Sequence, residues 1–528
     1  MLFLYLGNSS LKNRYFYRKK MDDASVTFSS SRMESPKHVI PFGRRIAYSF
    51  GHILNDLCAS MWFSYLLMFQ HNILQLSNQV AGNLMLLGQI ADAISTPFVG
   101  YESDRPNNMW LCKYGRRKAW HLVGTICVAL SFPFLFSECF GCANSSQYAR
   151  FIYYGAFIVI FQFGWAAVQV SHLSLIPDLT PLSCERVELN SLRYAMTVLS
   201  NIATYVSLLV IFGVSDPGDK HTGPSDLPIF KYVSLSVVGV GSLFSLLFHV
   251  FTKEREHPHF SVQQQCVINE ASDMIEKPHL TWKDWFAQPQ FYMVALLYMS
   301  TRLYVNLSQV YMPMYIEDTL ELHKTKIATI PLVIFVSGFL SSFLVKFMRK
   351  LFGIKCTYFL GCMLAIISCI WIYLGEGESY GNYQLYGVAV LIGVAGSTLL
   401  IISLAFTSDL IANSTSSGAF VFGSMSFVDK LANGIAVVII QQIHPCVTCC
   451  TECRFFYKYV LVFSCGGSVL LGLIALGCLL TQAVGTRRNE EQLHRNSIIR
   501  HNRRLGFTSK KEDKGLLNEE SESDSLLT

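Results

Sequence analysis

The sequence predicts an all-α polytopic membrane protein, twelve helices in two six-helix halves with both termini in the cytosol. Three observations carry that expectation. Of 528 residues, 51% are hydrophobic and only 15% charged, against roughly 25% charged in soluble domains, and the mean hydropathy is +0.35. Apolar runs of about 20 residues recur along most of the chain, each long enough to cross a hydrocarbon core. The connections between them alternate between base-rich and base-poor, the pattern by which cytosolic loops keep Lys and Arg. The formal charge of +6 is spread over short loops and tails rather than over one face. It therefore speaks for orientation in a bilayer and not for nucleic acid.

Taken in order, 1–43 is rich in Ser, Lys and Arg and reads as a cytosolic tail; its MLFLYLG start is too short, and has no preceding base, for a secretory signal. The first half, 44–252, holds spans at Ile46–Gln70, Gln79–Tyr101, Ala119–Ser137, Phe151–Pro177, Leu189–Phe212 and Phe230–Thr252. A polar cytosolic loop, 253–290, follows. The second half, 291–482, holds Phe291–Tyr315, Ile327–Phe347, Cys356–Leu374, Tyr383–Leu410, Gly418–Ile443 and Tyr457–Thr481, and 483–528 is a second tail. Bases crowd both tails, the central loop, the second-to-third connection (Arg105, Lys113, Arg116, Arg117, Lys118) and the eighth-to-ninth (Lys346, Arg349, Lys350, Lys355). Connections 138–150, 213–228 and 376–381 are poor in them, so an even span count places every basic connection on the cytosolic side.

The second-to-third connection carries Gly100, Asp104 and Arg105 at G-x-x-x-D-R spacing and then Gly115-Arg116-Arg117-Lys118. The second part is echoed at the start of the ninth span by Gly353-Ile354-Lys355, and Asp178 leading to Asn201 is echoed by Asp409 leading to Asn433. Two echoes at nearly the same spacing argue for a tandem repeat of six helices. That is the signature of the major facilitator architecture, whose binding site lies between the halves near mid-membrane. Gly100, Asp104, Arg105, Gly115, Arg116, Arg117, Gly353 and Lys355 are then expected to clasp helix ends and set the balance between two access states, not to touch solute.

An ionisable group inside a span costs roughly 2.5–3.5 kcal/mol on insertion scales, so each needs a partner or a task. Asp56, Asp92, His172, Arg193, Arg302, Asp429 and Lys430 all fall in spans, with Gln169 close to His172. Aligning Tyr65 with Tyr311 brings Asp56 and Arg302 to one depth. They are expected to face a central cavity as an ion pair or as ligands of a zwitterion, whose ammonium and carboxylate an acid and an arginine complement. Adjacent residues cannot share a helix face, so Lys430 is expected in the cavity and Asp429 in a structural pair. His172 reads as a packing residue or a proton relay, and Arg193 as a helix-end anchor or a cavity group.

The Gly100–Lys118 connection resembles the signature loop of major facilitator transporters, with a longer insert. The run Gln89–Pro97 resembles the second helix of the cation-coupled glycoside symporters typified by melibiose permease. Longer runs, HILNDLCASMWFSYLL, RKAWHLVGT, FIVIFQFGWAAVQVSHLSLIPDL and SGAFVFGSMSFVDKLANG, resemble an organellar branch of the superfamily associated with lysosomes and melanosomes and with import of cysteine. The likeness covers nearly all of 44–480 and implies an organellar importer of cysteine or a related thiol amino acid, with an effect on pigmentation. In the glycoside symporters the sodium site uses two acids one turn apart on the second helix and one on the fourth. Here Asp92 matches the first, but Thr96 and Gln169 stand at the others; positions four apart still share a face. One carboxylate is a poor host for dehydrated sodium yet serves as a proton carrier, so sodium is doubtful, proton coupling is favoured and no cofactor is expected. Lys430 matches the eleventh-helix lysine of those symporters.

Cys139 and Cys142, and Cys446, Cys449, Cys450 and Cys453, fall in non-cytosolic connections. Their spacing suits zinc, but that address favours disulfides, leaving no metal site expected. Asn144 opens an Asn-Ser-Ser glycan acceptor on the same side. Glu522 with Leu526 and Leu527 resembles an acidic dileucine signal in an extended tail, read by clathrin adaptor complexes for delivery to lysosomal or melanosomal membranes. The rivals are a glycoside or other organic-solute symporter, a membrane enzyme and a non-transporting scaffold. No histidine sits beside an obvious nucleophile, so no enzyme is expected.

Overall fold

A bilayer leaves backbone N–H and C=O groups no partners but each other, and in the computed structural model every regular element among the described residues is helical. The described residues are 40–104, 114–142, 145–180, 183–215, 222–254, 282–411, 418–445 and 453–480, with Gln482 and Val484. The first half comprises α1 (Ile53–Met68), α2 (Asn78–Asp104), α3 (Arg116–Leu135), α4 (Gln147–Leu179), α5 (Ser183–Ser215) and α6 (Leu227–Phe251). The second begins with α7 (Pro289–Met314). Thr325–Leu374 is one helical run that Gly353 divides into two arms, α8 before it and α9 after. Next come α10 (Leu385–Ile411), α11 (Gly418–Ile443) and α12 (Cys465–Leu479). From Phe42 onward these helices belong to one compact unit.

Eight helices among the described residues are long and apolar enough to cross a membrane, with Thr325–Leu374 counted once. Helices α1, α2 and α7 are not among them. Asp56, Asp92 and Arg302 sit on these three, and the halves meet along α1–α7, α2–α11 and α5–α8. Their polarity therefore follows from their position at the half-interface.

The tandem repeat is visible in the backbone. Both α1 and α7 pass into a π turn (Phe69–Ile73 and Tyr315–Thr319), closed by Leu74 N to Phe69 O at 3.0 Å and Leu320 N to Tyr315 O at 3.1 Å. Each then reaches a non-glycine residue with positive φ, Gln75 at 54° and Glu321 at 50°. Gly115 (φ 119°) opens α3 and Gly353 (φ 78°) opens α9. Beside them, Arg117 meets Asp178 at 2.7 Å and Arg349 meets Asp409 at 3.5 Å. We call this the basic end of the bundle and the opposite one the far end. The first part of the G-x-x-x-D-R segment differs from expectation: α2 stays helical through Gly100 to Asp104, because its i→i−4 bonding continues past the apolar run. Arg105 lies outside the described residues.

A Cβ on Gly353 would meet nothing within 4 Å, so only the backbone resists substitution, and φ 78°, ψ 170° falls where essentially only glycine goes. Gly353→Ala is expected to destabilise the purified protein by about 1–3 kcal/mol. Gly423→Ala, on an open helical face, should leave stability level or higher. Thermal unfolding in detergent reads both, and an unmoved melting temperature for Gly353→Ala would refute the assignment.

Candidate functional site

Between the halves lies a cavity of about 310 Å³, at the lower end of the roughly 300–1,000 Å³ typical of ligand pockets. Phe63, Thr197 and Asn201 line it from the first half, and Arg302, Gln309 and Phe335 from the second. The charges near it form three groups. In the second half, Arg302 Nε donates to Asp429 Oδ2 at 3.0 Å and Asn433 Nδ2 to Asp429 Oδ1 at 2.8 Å. Between the halves, Lys430 Nζ lies 2.8 Å from Asp92 Oδ2 and donates to Thr96 Oγ1 at 3.0 Å. The Thr96 hydroxyl in turn reaches Asp92 Oδ1 at 3.1 Å. In the first half, Asp56 Oδ1 lies 2.9 Å from His52 Nδ1, Thr197 Oγ1 donates to Asp56 Oδ2 at 2.9 Å, and Arg193 Nη2 reaches His52 Nε2 at 3.1 Å.

The expected pairing of Asp56 with Arg302 is therefore not formed. Helix α1 turns Asp56 towards α5, where Thr197 bonds it, while α7 turns Arg302 towards α11 and Asp429. Asp429 makes the structural pair expected of it, with Arg302, while Lys430 does not line the cavity and pairs across the halves with Asp92 instead. His172 is fully buried and stacked on Tyr48 with ring centroids 4.2 Å apart. Its Nε2 donates to Tyr48 O at 2.8 Å and the Tyr48 hydroxyl to His172 O at 2.8 Å. Gln169 accepts from Trp165 Nε1 at 3.2 Å. Neither lines the cavity.

At the basic end the hinge residues bond within their own halves. Glu254, just past α6, accepts from the backbone N–H groups of Arg117 and Lys118 at 3.1 Å, capping α3 where its first donors lack partners. Arg116 begins the same turn. Lys355 Nζ donates to Leu480 O and Gln482 O at 2.8 Å, closing α9 on the end of α12. Cys139 and Cys142 are joined as a disulfide and Cys453 is disulfide-bonded. Cys446, Cys449, Cys450, Asn144, Glu522, Leu526 and Leu527 lie outside the described residues.

The far end carries a seal that sequence reasoning missed. Lys324 Nζ meets Asp226 Oδ1 at 3.3 Å, both side chains buried. Thr222 N donates to Glu317 Oε1 at 2.6 Å, and its hydroxyl bonds the same oxygen. Tyr65 donates to Ile327 O at 3.3 Å, and Gln309 Nε2 to Ser64 Oγ at 3.2 Å. Each bond joins one half to the other. No local signal marks them, since the partners are 95 to 262 residues apart. Glu317 and Asp318 lie past the end of α7, where burial raises Glu317 to about 8 and Asp318 to about 7, with Asn72 hydrogen bonds opposing both shifts.

Two expectations follow. A carboxyl raised to about 8 when sealed, against 4.5 normally, favours the seal most below 4.5, and that contribution is lost as pH rises through 8. Hydrogen–deuterium exchange of 222–226 and 317–324, corrected for intrinsic rate, should therefore rise through pH 7 to 8 in the native protein, and Glu317→Gln should keep only the rise near pH 7 that Asp318 gives. A native profile without that rise would overturn the assignment. Secondly, Asp92→Asn or Lys430→Gln alone should each cost roughly 3–5 kcal/mol, the penalty for stranding a buried charge, while the double variant recovers most of it. Additive losses in thermal stability would show that the pair does not couple the halves.

The family model described as "MFS/sugar transport protein" matches residues 47–444. The chain is 50% identical over 457 residues to major facilitator superfamily domain-containing protein 12 of Homo sapiens, covering 84% of this chain and 94% of that protein. It is 46% identical over 469 residues to the protein of the same name from Mus musculus, covering 86% and 97%. An isoprimeverose transporter of Lactiplantibacillus pentosus is 24% identical over 381 residues, 71% of each chain. Among solved structures, a D-xylose–proton symporter superposes with a TM-score of 0.61 at 14% identity, covering 84% of this chain and 98% of that one. A cavity between two packed halves, lined from both and held by an ion pair across them, thus sits in a chain that belongs to the MFS/sugar transport family of the major facilitator superfamily, a family of transporters and not of enzymes.

Proposed function

We propose that the chain is a proton-coupled secondary transporter that carries cysteine, or a related small thiol amino acid, into lysosomes and melanosomes by alternating access, with an effect on pigmentation. In this reading twelve helices cross the membrane, α8 and α9 separately, with the basic end and both termini in the cytosol. The observation that carries it is Arg302, a cation in the wall of a small cavity between the halves, held by Asp429 through Nε. A guanidinium fork suits a solute carboxylate. Asn201 and Gln309 offer amide oxygens to an ammonium, and Phe63, Met312 and Phe335 form an apolar wall suited to a polarisable sulfur.

The coupling argument rests on Asp92. Lys430 already stands 2.8 Å from its carboxylate, so a metal cation would have to displace an ammonium and would find one acid where sodium wants several oxygens. The organellar address rests on the resemblance of the long helical runs and on Glu522, Leu526 and Leu527 as a clathrin-adaptor signal.

The test is uptake of labelled L-cysteine by the purified protein in proteoliposomes. Arg302→Lys keeps the charge and loses the fork, and the half-saturating concentration should rise about tenfold, equivalent to about 1.4 kcal/mol; Arg302→Ala should abolish uptake. Undiminished uptake by Arg302→Ala would sink the assignment. The similarity to sugar transporters supports a second reading, symport of a glycoside, for which labelled isoprimeverose in the same vesicles is the direct assay.

A further inference from the structure

Four histidines that no solute contact explains run in series through the first half. His249 is on α6, His121 on α3, His172 on α4, and His52 ends the short 3-10 turn Phe50–His52 that interrupts the helical run ahead of α1. All four are buried. Consecutive ring centroids are 4.8 Å apart from His249 to His121, 5.9 Å from His121 to His172 and 5.7 Å from His172 to His52. At one terminus stands Tyr114, exposed at the basic end, and at the other Asp56, whose partner Thr197 lines the cavity.

We propose that this ladder is a proton path joining the basic end to the Asp56–His52 pair, separate from the route the solute takes. It rests on the proton-coupled reading above and moves the proton-carrying group from Asp92, which Lys430 occupies, to Asp56.

Hydrogen-bond partners fix how the rings hand on a proton. His121 Nε2 donates to the carbonyl of Gly51 at 2.8 Å, which leaves its Nδ1 to accept from His249 Nε2 at 3.0 Å. His249 Nδ1 then accepts from the Tyr114 hydroxyl at 3.1 Å, and that hydroxyl is equally 3.1 Å from His249 O. His172 Nε2 donates to Tyr48 O, leaving a buried Nδ1 with no hydrogen-bond partner. His52 Nε2 accepts from Arg193, so its proton sits on Nδ1 facing Asp56. Gly51 keeps the ladder contiguous: a Cβ there would come within 2.7 Å of the His172 ring and 2.8 Å of Phe248.

The transfer balances. A proton binds His249 Nδ1 as Tyr114 turns its hydroxyl to His249 O, and the Nε2 proton passes to His121 Nδ1. By ring rotation His121 gives a proton to the vacant Nδ1 of His172, which passes one to His52 Nε2 as Arg193 lets go. His52 then releases its Nδ1 proton to Asp56. One proton has entered, one carboxylate is neutral and every ring is neutral again. The charged and titratable groups facing the ladder are Asp56, Cys58 and Tyr48 from the first helical run, Lys118 from α3, Arg193 from α5, and Tyr114 with Glu254 at the basic end. Lys118, whose Nζ is 3.0 Å from His249 O, and Arg193 put a cation at each terminus. A proton is thereby discouraged from resting on the ladder.

The experiment uses the full chain in proteoliposomes and compares labelled L-cysteine uptake driven by an imposed pH gradient with cysteine–cysteine exchange at equal pH. His121→Gln and His249→Gln should slow gradient-driven uptake by about tenfold or more and exchange by less than about twofold. Tyr114→Phe removes one oxygen from an exposed ring and should slow gradient-driven uptake by about threefold. Loss of exchange in the histidine variants leaves Tyr114→Phe to decide alone. A native protein that responds to the gradient alongside a Tyr114→Phe protein of equal rate overturns the ladder and spares the proton-coupled reading. A native protein that carries no cysteine, or carries it regardless of the gradient, removes both.

Discussion

Near the cavity the two halves are held in register by the ion pair of Lys430 with Asp92, set between α11 and α2. Two charges taken from water must find each other at good geometry or cost several kcal/mol apiece, and here Thr96 supplies the additional hydrogen bond that satisfies both partners. The residue before Lys430 is Asp429, which holds Arg302 in the cavity wall. One turn of α11 therefore carries both the bond across the halves and the brace of the cavity's cation. Anything that draws Arg302 away from Asp429 acts one peptide from the cross-half pair, and that adjacency links solute binding to the relation between the halves without a longer chain of contacts.

Backbone devices repeat between the halves, as does the Arg–Asp pair at the basic end, while the polar groups around the cavity do not. The π turns after α1 and α7, the positive-φ residues beyond them and the glycines at the mouths of α3 and α9 match position for position. Such features answer to bilayer geometry, which both halves share. The histidines and the Asp56 group belong to the first half only, and the Arg302–Asp429 pair to the second. Divergence of side chains on a common frame gives each half a different duty, a proton in one and a carboxylate in the other on the proposed reading.

Much of this was legible from the chain. Apolar runs of membrane length marked the helices, basic loops marked one end, and the echo of Gly115 at Gly353 marked the repeat, because each is a local property of composition or turn chemistry. That Asp56 and Arg302 fall in spans was also readable, since both interrupt apolar runs. Which way each points was not. Pairing depends on how helices rotate about their axes when they pack, and the partners of Asp92, Asp226 and Glu317 lie in the other half of the chain. The histidines show the same limit: His172 reads as a packing residue or a proton relay, and only packing sets it in a row with His52, His121 and His249.

The two ends of the bundle are built on different physics. At the basic end the pairs lie within a half: Arg349 with Asp409 is 46% and 42% exposed and screened by water, Arg117 with Asp178 is 13% and 13% exposed, and neither must separate for the halves to part. At the far end Lys324 and Asp226 are 2% and 5% exposed, and Glu317 is buried against Thr222. Separating a buried pair without hydrating it is far more costly than separating an exposed one. Parting the halves there would bring Asp226, Lys324 and Glu317 into water together. Glu317 differs from the pair beside it in one respect: a carboxyl can surrender its charge by taking a proton, whereas Lys324 with Asp226 cannot be neutralised by a single proton without stranding the other charge. The ion pair thus sets how firmly the far end closes, and Glu317 with Asp318 beside it sets how that closure answers to pH.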